Sequence, residues 1–193
     1  MAEGKDDPDV VWMEPKQRGV IPLDAFHISK SLSKAIAKND YQIRLNNDFE
    51  AVVDACAERD ETWINATIRQ GYMRLFDVGH AHSIEVWRDD NLIGGVYGVS
   101  LGAAFFGESM FSRETNGSKI ALAYLVAHLR KCGFMLCDTQ YLTEHLASLG
   151  AVEIERDEYI ERLNLAVQAP ESFQRYSEPP SAFETLQRNN QTS

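Results

Sequence analysis

The spacing of apolar positions changes several times along the chain, and each change predicts a different element. After Ser29, Leu32 and Ile36 recur about one helical turn apart while Lys30, Lys34 and Lys38 recur at i, i+4 and i+8. This predicts a short helix with an apolar face and a separate basic stripe. Tyr41–Leu45 alternates like a short strand, and Asn47 or Asp48 caps a helix whose apolar face is Phe49, Val52, Val53 and Cys56. A turn at Asp60-Glu61-Thr62-Trp63 opens another helical run through Ile64, Ile68, Met73, Leu75 and Phe76, weakened at Gly71. The period then drops to two. His82–Trp87 alternates, Asp89-Asp90-Asn91 supplies turn chemistry, Leu92–Tyr97 is apolar and extended, and Ala103–Gly107 follows as a third strand. The helical period returns over Lys119–Lys131, capped by Asn116 or Ser118, with Ile120, Leu122, Tyr124, Leu125 and Leu129 inward and Gly133 as its stop. Phe134–Cys137 predicts a short buried strand ending at Asp138. Thr143–Leu149 predicts a short helix ended by Gly150, Val152–Ile154 a strand and Tyr159–Leu165 a helix.

The two ends lack such periods. Residues 1–25 are rich in Pro, Asp and Gly and predict extended chain with Trp12 as an anchor. After Gln168 the chain is rich in Ser, Pro, Gln and Asn, which predicts a loosely ordered tail. Helices, a strand meander, then helix, strand and helix describe an α+β (mixed α/β) protein built on one central sheet. There is no internal repeat.

Composition narrows the partners. The 193 residues are 44% hydrophobic and 25% charged, ordinary values for a globular chain. Nineteen basic against 29 acidic side chains give a net charge of −10. That excludes coating nucleic acid by bulk attraction and leaves room for a local basic face. No run approaches the roughly 18–20 apolar residues of a membrane helix, and the polar, acidic start from Met1 to Asp9 is no secretory signal. Cys56, Cys132 and Cys137 lack paired spacing, which predicts reduced thiols, a cytoplasmic location and neither a disulfide framework nor a zinc site.

Candidate chemistry concentrates in a few places. The run Gly107–Lys119 leaves a strand and enters a helix, where free N–H groups favour anions and Arg113 and Lys119 add positive charge; a capped helix with solvated charges explains it as well. Asp138-x-Gln140 follows a buried strand, where a carboxylate beside an amide can orient a nucleophile or polarise a carbonyl; a turn Asp and a surface Gln is the plainer alternative. His80 and His82 share a face if extended, but no third ligand stands at matching spacing, so no metal is expected. Met73, Met110, Phe105, Phe106, Phe111 and Leu122 describe either a pocket or an ordinary core. Trp63, beside acids and a Thr, suits stacking on a planar ligand or a partly buried anchor. Gly94-Gly95-x-x-Gly98 lies inside the meander and points to close backbone packing, since phosphate loops join a strand to a helix.

A series of blocks then matches a known family: His80-Ala81-His82-Ser83-Ile84-Glu85-Val86-Trp87, Gly94-Gly95-Val96-Tyr97-Gly98-Val99, Gly107–Arg113, Asn116-x-Ser118-Lys119, Asp138-x-Gln140 and His145-x-Ala147-Ser148-Leu149-Gly150-Ala151. Over residues 8 to 165 the chain resembles leucyl/phenylalanyl-tRNA–protein transferase. The resemblance implies a GNAT-like central sheet flanked by helices and a partial small N-terminal domain. Residues 1–28 would be an extended remnant of that small domain, 29–167 the aminoacyl-transferase domain with a helical first part over 29–79, and 168–193 the tail. It further implies transfer of Leu, or Phe or Met, from aminoacyl-tRNA to the α-amino group of proteins beginning with Arg or Lys, marking them for N-degron degradation. Neither cofactor nor metal nor membrane is implied, and a monomer is expected.

By the same resemblance Trp63 and Glu108 hold the 3′-terminal adenosine of tRNA. Val96, Phe105, Met110, Leu122, Leu125 and Leu129 line the pocket for the transferred side chain. Asp138 and Gln140 are catalytic, Asp138 polarising Gln140 so that its carbonyl oxygen receives hydrogen bonds from the attacking amine. Arg113, Lys119, Arg130 and Lys131 are expected tRNA backbone contacts. Two departures stand out. Family members carry an aromatic Gly-x-Phe-Pro-x segment that the chain, starting at Met1-Ala2-Glu3, is expected to lack, and Leu125 and Leu129 replace aromatic pocket residues. Two other classes fit the residues less well: a non-catalytic tRNA- or protein-binding remnant, and an N-acyltransferase using acyl-CoA, for which the phosphate turn before the long helix is missing.

Overall fold

The alternation that begins near His82 builds the centre of the protein. In the computed structural model, which describes residues 15–58 and 62–187, three antiparallel strands form the meander: β3 (Ala81–Arg88), β4 (Asn91–Leu101) and β5 (Ala104–Ser112). Asp89 and Asp90 adopt positive φ of 48° and 61°, the two-residue turn chemistry that closes a tight hairpin. The full sheet has seven strands in the order β2-β3-β4-β5-β6-β1-β7, with β1 Gln17–Val20, β2 Gln42–Leu45, β6 Leu136–Gln140 and β7 Val152–Glu155. Only β5 and β6 pair in parallel, over Ala104–Phe106 and Leu136–Asp138. Helices cover both faces, so the α+β reading holds.

Adjacent strand residues point to opposite faces and so define two layers. Val96 and Phe105 pack under α4 (Gly117–Cys132), joined by α1 (Lys30–Lys38) and Leu146 of α5 (Glu144–Ala147). Tyr97 and Phe111 pack under α2 (Phe49–Ala57), beside α3 (Ala66–Asp77), while Ala104 and Leu136 pack with Tyr159 and Ala166 of α6 (Arg156–Gln168). The caps follow the sequence. Ser29 accepts from the Leu32 N–H, Asp48 from Ala51 and Asn65 from Ile68. Asn116 sits at the start of α4 in left-handed conformation without a capping bond, and Ser112 Oγ accepts from the Ser118 N–H instead. The glycine cluster is a packing device: a Cβ on Gly94 would come within 2.5 Å of the Gly117 backbone, so α4 can start directly on β4.

Both ends of the described chain contribute to the fold. The extended chain expected before residue 25 includes β1, which is inserted between β6 and β7 of the one sheet. The described part of the segment after Gln168 is anchored at points: Phe173, Pro180 and Thr185 are buried, while most residues around them are exposed. Phe173, in a short 3-10 turn (Phe173–Arg175), is 2% exposed, and α7 (Ala182–Gln187) follows it. The Phe173 ring stacks on His82 at 4.3 Å and 8°, and lies against His128, Phe105 and Phe134. One inward aromatic in a polar stretch has no period to betray it. Trp12 and residues 188–193 of the tail lie outside the described residues.

The buried His82 makes stability pH-dependent. Burial, with His128 and His80 adding to it, lowers its pKa to about 4. The unfolded chain, near pKa 6.5, therefore takes up the proton first. Stability is complete above pH 6.5 and is lost as pH falls toward 4, by about 3 kcal/mol from this site. Urea titrations at pH 7.5 and 4.5 should show that loss, and His82→Gln should lose less between the two pH values than wild type.

Candidate active site

The site forms where the sheet parts. β5 and β6 run side by side as far as Phe106 and Asp138 and then separate. β5 continues to Ser112, so Gly107–Ser112 is strand and not the strand-to-helix junction expected from its polar residues. Opposite Tyr97–Gly98, β5 uses one extra residue: Tyr97 pairs with Ser109 and Gly98 with Gly107. Glu108 is that bulged residue, and a bulge re-aims a side chain out of the regular alternation. β6 ends at Gln140, whose φ of +65° is left-handed. The two side chains meet across the gap, Gln140 Nε2 donating to Glu108 Oε2 at 3.0 Å.

Glu108 also lines a cavity of about 90 Å³, together with Val96, Met110, Leu122, Leu125, Leu146, Cys137 and Thr139. Four of the six expected pocket residues are thus on one wall. Phe105 and Leu129 are not. Phe105 stacks on Phe173 of the C-terminal segment, and Leu129 is buried in the core cluster beneath α4. A larger cavity, about 560 Å³ and lined by Asp24, Arg130, Met135 and Arg162 among others, contains none of the expected catalytic or adenosine-holding residues.

Asp138 is fully buried, and its carboxylate takes four donors. Arg18 binds it through Nε (3.1 Å to Oδ1, 2.9 Å to Oδ2) and Nη2 (2.9 Å), Tyr159 Oη at 2.5 Å and the backbone N–H of Gln140 at 2.6 Å. Asp138 therefore contacts the backbone of Gln140; the side-chain amide of Gln140 goes to Glu108. Burial works against the Arg18 cation, but its bonds and charge pairing with Asp138 prevail and its pKa is raised. Arg18 also lies 5.3 Å from the Tyr159 ring centroid. The sequence singled out neither Arg18 nor Tyr159 for the site: one lies 120 residues before Asp138, in chain read only as extended, and the other 21 after it.

On the opposite strand face Tyr72 bonds Glu108 and sits in an aromatic chain, 6.4 Å from Trp63 and 5.1 Å from Tyr97 between centroids. Tyr72 follows Ile68 by four residues on the same helix, a spacing that could have marked it. Trp63 is half-buried at the start of this chain. Burial raises the Glu108 pKa, the bonds from Tyr72 and Gln140 and the charge of Arg18 pulling it partly back. A folded pKa above the unfolded one means that ionised Glu108 costs stability at neutral pH, a cost absent below the unfolded pKa. Glu108→Gln should accordingly raise the thermal midpoint at pH 8, by ~2–4 °C for a chain of this size. The gain should vanish toward pH 4, and melting curves at the two pH values check it.

The four expected backbone contacts do not form one patch. Arg113 makes two 2.9 Å bonds to Glu58 and stands over Phe111, and Lys131 pairs with Glu184 and covers Tyr176. Lys119 and Lys131 sit at opposite ends of α4, whose 16 residues span about 24 Å. Lys30, Lys34 and Lys38 of α1 are all exposed, as their stripe predicted. His80 bonds the Ser100 carbonyl, and His82 bonds Asn46 and Ser100 Oγ. Among the described residues no three His, Cys, Asp or Glu side chains converge to hold a metal, and no helix is long and apolar enough to cross a membrane.

The chain is similar to proteins of one family over most of its length. The family model of leucyl/phenylalanyl-tRNA protein transferase matches residues 20–164. Proteins named leucyl/phenylalanyl-tRNA–protein transferase are 56% identical in Ruegeria sp. (strain TM1040) and 54% identical in Cereibacter sphaeroides (strain KD131), each over 195 aligned residues. The alignments cover all of this chain and 91% and 90% of those relatives. Among solved structures, L-PGS from Bacillus licheniformis matches with a TM-score of 0.44 and 14% identity over 69% of this chain and 50% of its own. A sheet opened at its parallel pair, with an apolar cavity whose lining includes the hydrogen-bonded Glu108, suits an aminoacyltransferase, an enzyme that must hold an aminoacyl side chain while its carbonyl reacts. Within that class, the chain belongs to the leucyl/phenylalanyl-tRNA protein transferase family.

Proposed function

We propose that the chain transfers Leu, or Phe or Met, from aminoacyl-tRNA to the α-amino group of proteins that begin with Arg or Lys, marking them for N-degron degradation. The observation that carries the reading is the 3.0 Å hydrogen bond from Gln140 to Glu108, a residue on the lining of the apolar cavity. The cavity receives the transferred side chain and offers charged side chains too few partners to enter. Trp63 stacks on the terminal adenine, and Glu108, backed by Tyr72, holds the same end of the tRNA.

The ester is already activated, so the protein has mainly to align the amine with the ester carbonyl. With Nε2 committed to Glu108, the Gln140 Oε1 is the acceptor that orients the attacking amine. The amine nitrogen bonds to the carbonyl carbon, the ester C–O bond breaks, and the tRNA 3′ hydroxyl leaves with the proton that the amine gives up. Lys30 and Lys34 of the exposed α1 stripe, with Lys38 beside them paired to Asp40, supply the nucleic-acid contact that the net charge of −10 denies to the molecule as a whole, a contact that salt should weaken.

Incubation with Leu-charged tRNA and peptides beginning with Arg, Lys or Ala tests the reading. Mass spectrometry should find Leu added to the first two peptides only. A folded sample that modifies none of them refutes it.

A further inference from the structure

We propose that Arg18 and Tyr159 are positioning residues of this transfer: they clamp the Asp138 carboxylate so that it fixes the Gln140 backbone and holds the Gln140 amide against Glu108 of the cavity lining. The proposal rests on the function above and assigns work to two residues outside the family's motif blocks. Asp138 has no exposed surface, so no substrate atom reaches it, and whatever it does is done through its neighbours. Its two oxygens are shared among Arg18, Tyr159 and the Gln140 N–H. Two of these donors come from elements on either side, β1 and α6, and the third is the backbone of the residue to be placed.

Gln140 needs such help. Its φ of +65° is a conformation that side-chain-bearing residues avoid, and the 2.6 Å bond from its N–H to Asp138 Oδ1 holds it there. In that conformation the side chain reaches Glu108. Stability alone explains the cluster poorly. A buried ion pair is often matched or exceeded by well-packed apolar residues, whereas it fixes geometry in a way they do not. Arg18 presents a planar fork that uses two nitrogens on the carboxylate at once, which restricts rotation of Asp138. Tyr159 occupies Oδ2 and leaves Oδ1 for Gln140.

Steady-state transfer by wild type, Tyr159→Phe, Arg18→Met and Arg18→Lys tests this, together with amide hydrogen exchange at Gln140. Tyr159→Phe keeps the ring and loses one bond. Its kcat should fall about 10–100-fold, the effect of losing one charge-assisted hydrogen bond, with KM for charged tRNA within about twofold. Arg18→Met should lose more, and Arg18→Lys should recover part of that loss. The Gln140 N–H should exchange at least about tenfold faster in Tyr159→Phe while the β3–β4 amides keep their rates. Unchanged kcat in Tyr159→Phe, a loss that only follows the folded fraction, or an unaltered Gln140 exchange rate would each overturn the proposal. A wild type that transfers nothing refutes the proposed function instead, and the exchange rates then decide on the clamp by themselves.

Discussion

Asp138→Asn is expected to cost about 3–5 kcal/mol of stability and to lower transfer by at least about 100-fold. Every partner of the Asp138 carboxylate is a donor: the Arg18 guanidinium, the Tyr159 hydroxyl and the Gln140 N–H. An Asn of the same shape must turn an NH₂ toward one of them, which breaks at least one bond and leaves Arg18 partly buried without its counter-charge. Urea unfolding should show the lost stability, and single-turnover transfer the lost rate. The double variant Arg18→Met/Asp138→Asn separates the two effects. Removing the orphaned cation should restore part of the stability but none of the rate, because the guanidinium fork that fixes the side chain at position 138, and through it Gln140, is absent. A double variant that regained the wild-type rate would show that the cluster serves stability alone.

Phe173→Ala should cost about 3–5 kcal/mol, the loss expected when a fully buried aromatic is truncated. Its ring touches His82, His128, Phe105 and Phe134, while its carbonyl accepts from His128 Nε2 at 2.8 Å. These partners come from β3, α4, β5 and the segment leading into β6, so one side chain ties the C-terminal segment to the centre of the sheet. Urea unfolding should move to a lower midpoint with an unchanged slope. A loss below about 1 kcal/mol would mean that the segment is a loose strap and not part of the core. Phe105 bridges this residue and the cavity region, since it stacks on Phe173 and pairs in register with Cys137 of the cavity wall. The same variant should therefore loosen the pocket.

The elements made of repeated signals were legible in the sequence. α4 declared itself through Ile120, Leu122, Leu125 and Leu129 and the left-handed Gly133, and the β3–β4 hairpin through Asp89-Asp90. Asp48 capped α2 as its chemistry predicts. Features that depend on a single contact far away were not legible. β1 is four residues long and gains its identity only from pairing with β6 and β7, strands more than 100 positions later. Phe173 is one aromatic in polar chain. Within the site, the motif Asp138-x-Gln140 was visible, but its wiring was not. Strand alternation puts both side chains on one face, which favours direct contact between them, and Arg18 and Tyr159 occupy that contact instead. The Glu108 bulge is likewise invisible without the register of β4. For the basic residues on and around α4, nearness in sequence does not set their surroundings: Arg113 and Lys131 meet acidic partners far along the chain, and Lys119 and Lys131 lie near opposite ends of the helix.

The transfer itself, followed in a single turnover with and without the Gln140 amide, tests the account most directly. Leu-charged tRNA, a peptide beginning with Arg and an excess of enzyme are mixed, and formation of the Leu-Arg peptide is timed for wild type and Gln140→Ala. The Gln140–Glu108 site predicts product from wild type and a rate at least about 100-fold lower in the variant, with the affinity for charged tRNA within about twofold. Equal rates in the two proteins, or a folded wild type that forms no product, would contradict it.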